Sequence, residues 1–153
     1  MSKAVEKSGN SAGSWASSPA RRNVMQANKS RDTAPELALR TLLHAQGLRY
    51  RIATRPLRDL RRTADVVFRS ARVAIFVDGC FWHRCPEHYT LPKTNPDYWL
   101  PKLERNEERD RETDSALIAA GWLPIRVWEH EDVAVAARKI ERAVRSRRER
   151  NNC

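Results

Sequence analysis

Cysteine is scarce in this chain and long apolar runs are missing, and each shortage removes a class of protein. Three cysteines in 153 residues is an odd number and too few for the disulfide framework of a small secreted domain. No apolar stretch approaches the roughly 20 residues that span a bilayer. Residues 1–20 also lack the apolar centre of a secretory signal, so a cytoplasmic protein without membrane contact is expected. Acidic residues are in deficit as well, with 19 Asp and Glu against 29 Lys and Arg, a net charge of +10 and a pI near 10.2. That balance favours a polyanionic partner, because a basic face gains by releasing counterions condensed on phosphates. Arg greatly outnumbers Lys, and its guanidinium adds forked phosphate contacts.

The length suits one ordinary domain, and 41% apolar with 31% charged residues fits a packed core beneath a charged surface. Residues 1–20, rich in Ser, Ala and Gly, read as a disordered leader. The folded domain is expected over residues 21–148, with 149–153 as a flexible tail and Arg145–Cys153 too charged for the core. Thr33-Ala34-Pro35-Glu36 has the form of a capping box, followed by Leu39, Leu42 and Leu43 on one helical face and Gly47 as a stop. A first strand is read at Arg49–Ala53, with an Arg-rich turn after it. The β-branched runs Ala64–Phe68 and Arg72–Val77, separated by Arg69-Ser70-Ala71, predict two antiparallel strands at the centre of a sheet. Asp97 or Asn95 is placed to cap a helix that buries Trp99, Leu103 and Leu117 and ends at Gly121. Leu123–Trp128 reads as a strand whose Pro124 suits a first or edge position. Asp132 opens a last helix with Val133, Ala136, Ala137, Ile140 and Val144 at helical spacing. This order of elements specifies an α/β domain of two or three layers with a mixed sheet.

The segment Gly79–Pro96 has little periodicity and needs outside support to hold one shape. It carries Cys80-x4-Cys85-x2-His88, three good zinc ligands at short spacing. His130, at the end of Leu123–Trp128, is the best fourth ligand, with His83 as its competitor. A four-ligand site has no open position, so such a zinc would be structural. If His130 completes it, His83 is left with an ordinary imidazole suited to general-base work near pH 6.5. Asp65 sits among apolar strand residues, where a bare carboxylate is costly. It calls either for an arginine such as Arg61 or Arg62, or for magnesium, which binds through one or two carboxylates while keeping waters. Glu36 is explained as a capping residue that can also touch a metal-bound water. Phe81 and Trp82, adjacent in the same loop, are either partly buried or wedges that enter between base pairs.

Val77-Asp78-Gly79-Cys80-Phe81-Trp82-His83, Cys85-Pro86-Glu87-His88, Asp97-Tyr98-Trp99, Asn106-x2-Arg109-Asp110 and Gly121-Trp122 with Val127-Trp128-Glu129-His130 together resemble the very-short-patch-repair (Vsr) endonucleases. The likeness runs from about Met25 to His130, with Arg31-Asp32-Thr33, Glu36 and Asp65 in step. It implies a restriction-endonuclease-like α/β core with a structural zinc, and magnesium-dependent nicking of one strand 5′ to the thymine of a T·G mismatch in double-stranded DNA. On this resemblance Asp65 is the magnesium carboxylate, His83 the general base and Glu36 a helper through metal-bound water. Cys80, Cys85, His88 and His130 hold zinc, and Phe81 and Trp82, with Met25 of the N-terminal arm, form the wedge. Some relatives have Thr-His where this chain has Val77-Asp78. The Val77 carbonyl keeps a place on magnesium, and Asp78 is expected to add a carboxylate to that shell or to cap a turn. A monomer is expected, with mismatch-repair proteins as partners. Two other readings stand beside this one: a zinc-stabilised DNA-binding module without catalysis, and a nuclease of related fold in restriction or general DNA processing without mismatch preference.

Overall fold

The computed structural model describes residues 32–80 and 82–153. The expected leader, Met25 and Phe81 lie outside them. In chain order the elements are α1 (Ala34–Ala45), β1 (Arg51–Thr54), β2 (Ala64–Phe68), β3 (Val73–Asp78), α2 (Pro96–Ala119), β4 (Leu123–Trp128) and α3 (Val133–Asn151). The strands form one sheet in the order β1-β2-β3-β4. β1, β2 and β3 are antiparallel neighbours, whereas β4 runs parallel to β3, with Val77 opposite Val127 and Asp78 opposite Trp128. The mixed sheet follows from the connections. A short turn joins β2 to β3, while the passage from β3 to β4 includes a whole helix, long enough to bring the chain back in the same direction.

Side-chain alternation gives the sheet two unlike faces. On one, Val66, Phe68, Val73 and Ile75 pack against Leu39 and Leu43 of α1 and against Ile140 and Val144 of α3. Burying an aliphatic side chain of this size contributes about 1.5–3 kcal/mol, so this wholly apolar face carries most of the core. On the other face Val67, Ala74 and Phe76 meet Leu117 of α2, with Leu57, Leu60 and Trp122 at the margin. The domain is therefore three-layered, with two helices on one side and one on the other. Pro124 is tolerated because β4 is an edge strand.

Several local expectations are corrected. Thr33 stands at the N-cap of α1, but its side chain makes no capping bond. Glu36 instead reaches one residue further back and accepts the amide of Asp32 at 3.0 Å. Asn95 precedes α2 in a left-handed conformation without a side-chain cap, and its carbonyl takes the amides of Tyr98 and Trp99. Asp132 does cap α3, accepting Ala134 N and Val135 N at 2.9 and 3.0 Å. The Arg145–Asn151 stretch stays out of the core yet is helical, because its polar groups clasp neighbouring loops. Arg147 donates to the carbonyls of Ala71 and Gly121, and Asn151 to that of Ser70. No helix among the described residues is long and apolar enough to cross a membrane.

Candidate active site and metal centre

The β3–α2 connection leaves the sheet at Asp78 and is held against the end of β4. Glu129 donates its amide to the Asp78 carbonyl at 2.9 Å, extending the parallel ladder by one step. Its carboxylate returns to accept the amide of Cys80 at 3.0 Å. Two tight turns follow, with Cys85 N on Cys80 O and Tyr89 N on Cys85 O. Together they bring Cys80, Cys85, His88 and His130 into one group whose ligand atoms all lie within 4.8 Å of one another.

The distances suit a tetrahedral ion. Zn–S near 2.3 Å and Zn–N near 2.05 Å place neighbouring S and N ligands about 3.6 Å apart. Sγ of Cys85 lies 3.6 Å from Nδ1 of His130 and 3.9 Å from Nδ1 of His88, and Sγ of Cys80 lies 3.1 Å from Nδ1 of His130. Burial and the adjoining Cys85 thiol push the Cys80 thiol up to about 11, since a second thiolate is costly there without a cation between the sulfurs. The donor set and spacing therefore fit zinc. Of the two histidines weighed for the fourth position, the fold brings His130 to the cysteines and turns His83 elsewhere.

His83 faces α2. Its Nδ1 is bonded to Asp110 Oδ2, and its Nε2 lies 3.7 Å from Asp78 Oδ1. The ordinary imidazole expected for it is corrected. Burial pulls its pKa down, but the bond to Asp110 and the charges of Asp78 and Asp110 outweigh that and leave it raised. With Nδ1 engaged, Nε2 is the nitrogen available for chemistry. Trp82, the preceding residue, is half-buried. It packs edge-on to Trp99 at 5.8 Å, has Lys102 over its ring, and accepts Asn106 Nδ2 at its carbonyl, 3.2 Å away. Residues 106 and 110, one turn apart on α2, thus hold residues 82 and 83 of the loop.

Asp65 projects from β2 on the same face as Asp78 of β3. The arginine pairing weighed for it does not occur, and no Arg or Lys among the described residues bridges to it. Its Oδ2 accepts the amide of Val77 at 2.7 Å. Burial raises the Asp65 carboxyl to about 6; the Val77 amide opposes this, while the nearby negative charges of Glu36 and Asp78 add to it. Glu36, only 8% exposed, lines a cavity of about 800 Å³ together with Val77, Trp82, His83, Asn106 and Asp110. A buried carboxylate repelled by two others, with only the charge of His83 opposing them and no arginine or lysine bridge, fits a divalent metal held by oxygen ligands.

Asp78 is differently placed from the carboxylate expected in a magnesium shell. It is 4% exposed, and both of its oxygens accept Arg126 Nη1 at 3.1 Å. The same guanidinium makes three bonds to Asp114 at 2.9–3.1 Å, lies 3.5 Å from Asp110 Oδ1 and stacks over Phe76 at 4.5 Å. The sequence motifs include Asp110 without a role and leave out Asp114 and Arg126. The signal was nonetheless present: Asn106, Asp110 and Asp114 recur every four residues, continuing across the middle of α2 the inward stripe that Leu103 and Leu117 mark at either end.

Comparison with known proteins places the chain in a family. The family model described as DNA mismatch endonuclease Vsr matches residues 16–88. The chain is 50% identical over 117 residues to the type II nicking enzyme V.NaeI of Lentzea aerocolonigenes, covering 74% of this chain and 70% of that protein. It is 45% identical over 115 residues to the type II nicking enzyme V.XorIIP of Xanthomonas oryzae, covering 72% and 80%. Against the DNA mismatch endonuclease Vsr of Escherichia coli it is 40% identical over 106 residues, covering 69% and 66%.

Proposed function

The chain belongs to the Vsr family of DNA endonucleases, and from that premise we propose that it nicks one strand of duplex DNA 5′ to the thymine of a T·G mismatch, with magnesium at the cleavage centre and zinc as a structural ion. The observation that carries the reading is the separation of two neighbouring groups of side chains. His83 stands outside the Cys80, Cys85, His88 and His130 cluster, is oriented by Asp110, and shares a cavity with Glu36 close to the buried Asp65. The α/β sheet with helices on both faces agrees with a restriction-endonuclease-like core.

The division of roles follows from these positions. Asp65 and the Val77 carbonyl would hold magnesium, with Glu36 reaching its waters. The ion supplies Lewis-acid withdrawal of charge from the scissile phosphate. His83 takes the proton of the attacking water at Nε2, and the bond from Nδ1 to Asp110 holds the ring in place. The product is a nick with a 5′-phosphate. Trp82, beside His83, enters the DNA next to the mismatch together with Phe81 and Met25, where an unpaired base is least costly to unstack. The protein acts in the cytoplasm as a monomer, alongside mismatch-repair proteins.

The relatives named as type II nicking enzymes favour one second reading, a nicking nuclease tied to restriction rather than to mismatches. A single assay separates the two. Duplexes identical except for T·G or T·A at one position are incubated with protein and magnesium, and zinc content is measured on the same preparation. Nicking of the T·G strand alone supports the proposal. Equal nicking of both duplexes removes the mismatch preference, and no nicking of either by zinc-replete protein removes the catalytic reading.

A further inference from the structure

The arginines of the sheet's outer edge are absorbed by neither the core nor the cleavage centre. Arg51, Arg55, Arg58 and Arg69 line a depression of about 500 Å³ with Thr54 and Pro56. A second depression of about 370 Å³ adjoins it, sharing Arg51 and Arg69 and adding Arg49 and Arg148. None of these six guanidinium groups is ion-paired with a described carboxylate. Arg69 spends its donors on the carbonyls of Pro56 and Arg55, which pins the loop after β1 back along the edge. Nε of Arg148 is buried with no hydrogen-bond partner, although an unsatisfied buried donor costs about 1–3 kcal/mol. A row of guanidinium groups without carboxylate partners, one of them with an unsatisfied donor, is a receptor for a chain of anions, since guanidinium matches the geometry of phosphate oxygens.

Its position relates it to the nick. Thr54 pairs with Ala64, the neighbour of Asp65, and Arg51 pairs with Val67, which lies on the Asp65 face. From Arg51 to Thr54 the edge extends about 10 Å at strand rise, the axial length of about three nucleotides of one DNA strand. We infer that this outer edge, from Thr54 through Arg51 and Arg69 to Arg148, is a second phosphate-binding strip that grips the backbone of the same duplex beyond the cleavage centre. The inference rests on the proposed function for the identity of the polyanion. The strip reads no bases, because phosphate contacts position a duplex without carrying sequence.

The test is a triple variant, Arg51→Ala with Arg55→Ala and Arg58→Ala. These side chains are exposed and hold no hydrogen bond to described residues, so the fold is preserved; an unchanged thermal midpoint verifies it. A control triple on α3, Arg138→Ala with Lys139→Ala and Arg142→Ala, removes the same charge from exposed positions that line neither depression. Binding to T·G and T·A duplexes of the same length is measured without magnesium at several salt concentrations, and nicking is measured with it. The strip predicts that the edge variant loses about 2–3 from the slope of log affinity against log salt, at about 0.9 per phosphate released. The loss is equal on both duplexes, KM for nicking rises about tenfold or more, and kcat is kept. A slope unchanged from wild type, or matched by the control triple, overturns it. Wild-type protein that neither binds nor nicks would instead remove the nuclease reading on which it rests.

Discussion

The eleven residues from Asp78 to His88 feed two side-chain groups built on opposite principles. Asp78, with Asp110 and Asp114, is neutralised by the protein itself: Arg126 reaches all three carboxylates and is backed by the Phe76 ring. Cys80, Cys85, His88 and His130 converge, and no arginine or lysine is among the groups that shift the two thiols. Asp65, on the same sheet face as Asp78, is likewise bridged by no arginine or lysine among the described residues, and the charge of His83 is the one cation that acts on it. The difference teaches where an ion is needed. A buried anion must be compensated, and this chain supplies a guanidinium at one place, while the others have the donor sets that the proposed metals would require. It also separates Asp78 from Asp65, which the sequence placed in one magnesium shell, because both oxygens of Asp78 are already taken.

The comparison breaks first at the soft cluster. Cys80→Ser removes a buried sulfur and one of the four proposed zinc ligands, and metal affinity is folding free energy for the segment a metal ties together. Zinc content should fall below one per chain, nicking should vanish, and residues 79–95 should become protease-sensitive. The apolar face shared with α1 and α3 contains none of the ligands, so far-ultraviolet circular dichroism should retain most of its helical signal. Retention of stoichiometric zinc by this variant would dissolve the cluster assignment.

His83→Ala should act in the opposite manner. The residue lies two positions from Cys85 yet bonds α2 and not the cysteines, so zinc, thermal midpoint and duplex binding should persist while kcat falls about 10²–10⁴-fold, the usual worth of a positioned general base. Loss of zinc from this variant would show that the two groups are one.

Much of this arrangement was legible in the residues, for identifiable reasons. β2 and β4 were placed to the residue because β-branched runs bounded by turn signals specify buried strands, and β3 was missed by one position at each end. The Cys/His group was legible because ligand type and short spacing are themselves its chemistry. The Asp110, Asp114 and Arg126 network was not. Residues 104–116 look like a solvated charged face when each is judged alone, and only their register with Trp99, Leu103 and Leu117 shows that some point inward. The capping box misled for a related reason: Thr33 and Glu36 have the right spacing, but the chain before α1 turns so that Asp32, at positive φ, offers its amide to the carboxylate instead. Sequence gives donors and acceptors, and tertiary approach chooses between competing partners.

Arg126→Lys yields the smallest effect and the sharpest test of self-neutralisation. Lysine keeps the positive charge but not the fork, and at a bidentate site the two are not equivalent. Arg126 is 21% exposed in its side chain and Asp78 only 5%; removing the charge from such a partly buried pair costs about 3–5 kcal/mol, whereas keeping it should cost about 1–2, most of it from lost hydrogen bonds to Asp114. Asp78 and Asp110 both contact His83, so their misalignment should reach the imidazole. The expected outcome is a kcat lowered about tenfold with KM for the duplex unchanged, since Arg126 touches the ring's supports and not the phosphate strip. Arg126→Met, which discards the charge as well, should be much less stable and should bind magnesium with altered affinity, because Asp78 is then released toward Asp65. Equal kcat for wild type and the lysine variant would mean that Asp78 and Asp110 hold His83 without the guanidinium, reducing Arg126 to a structural tie between α2 and the sheet.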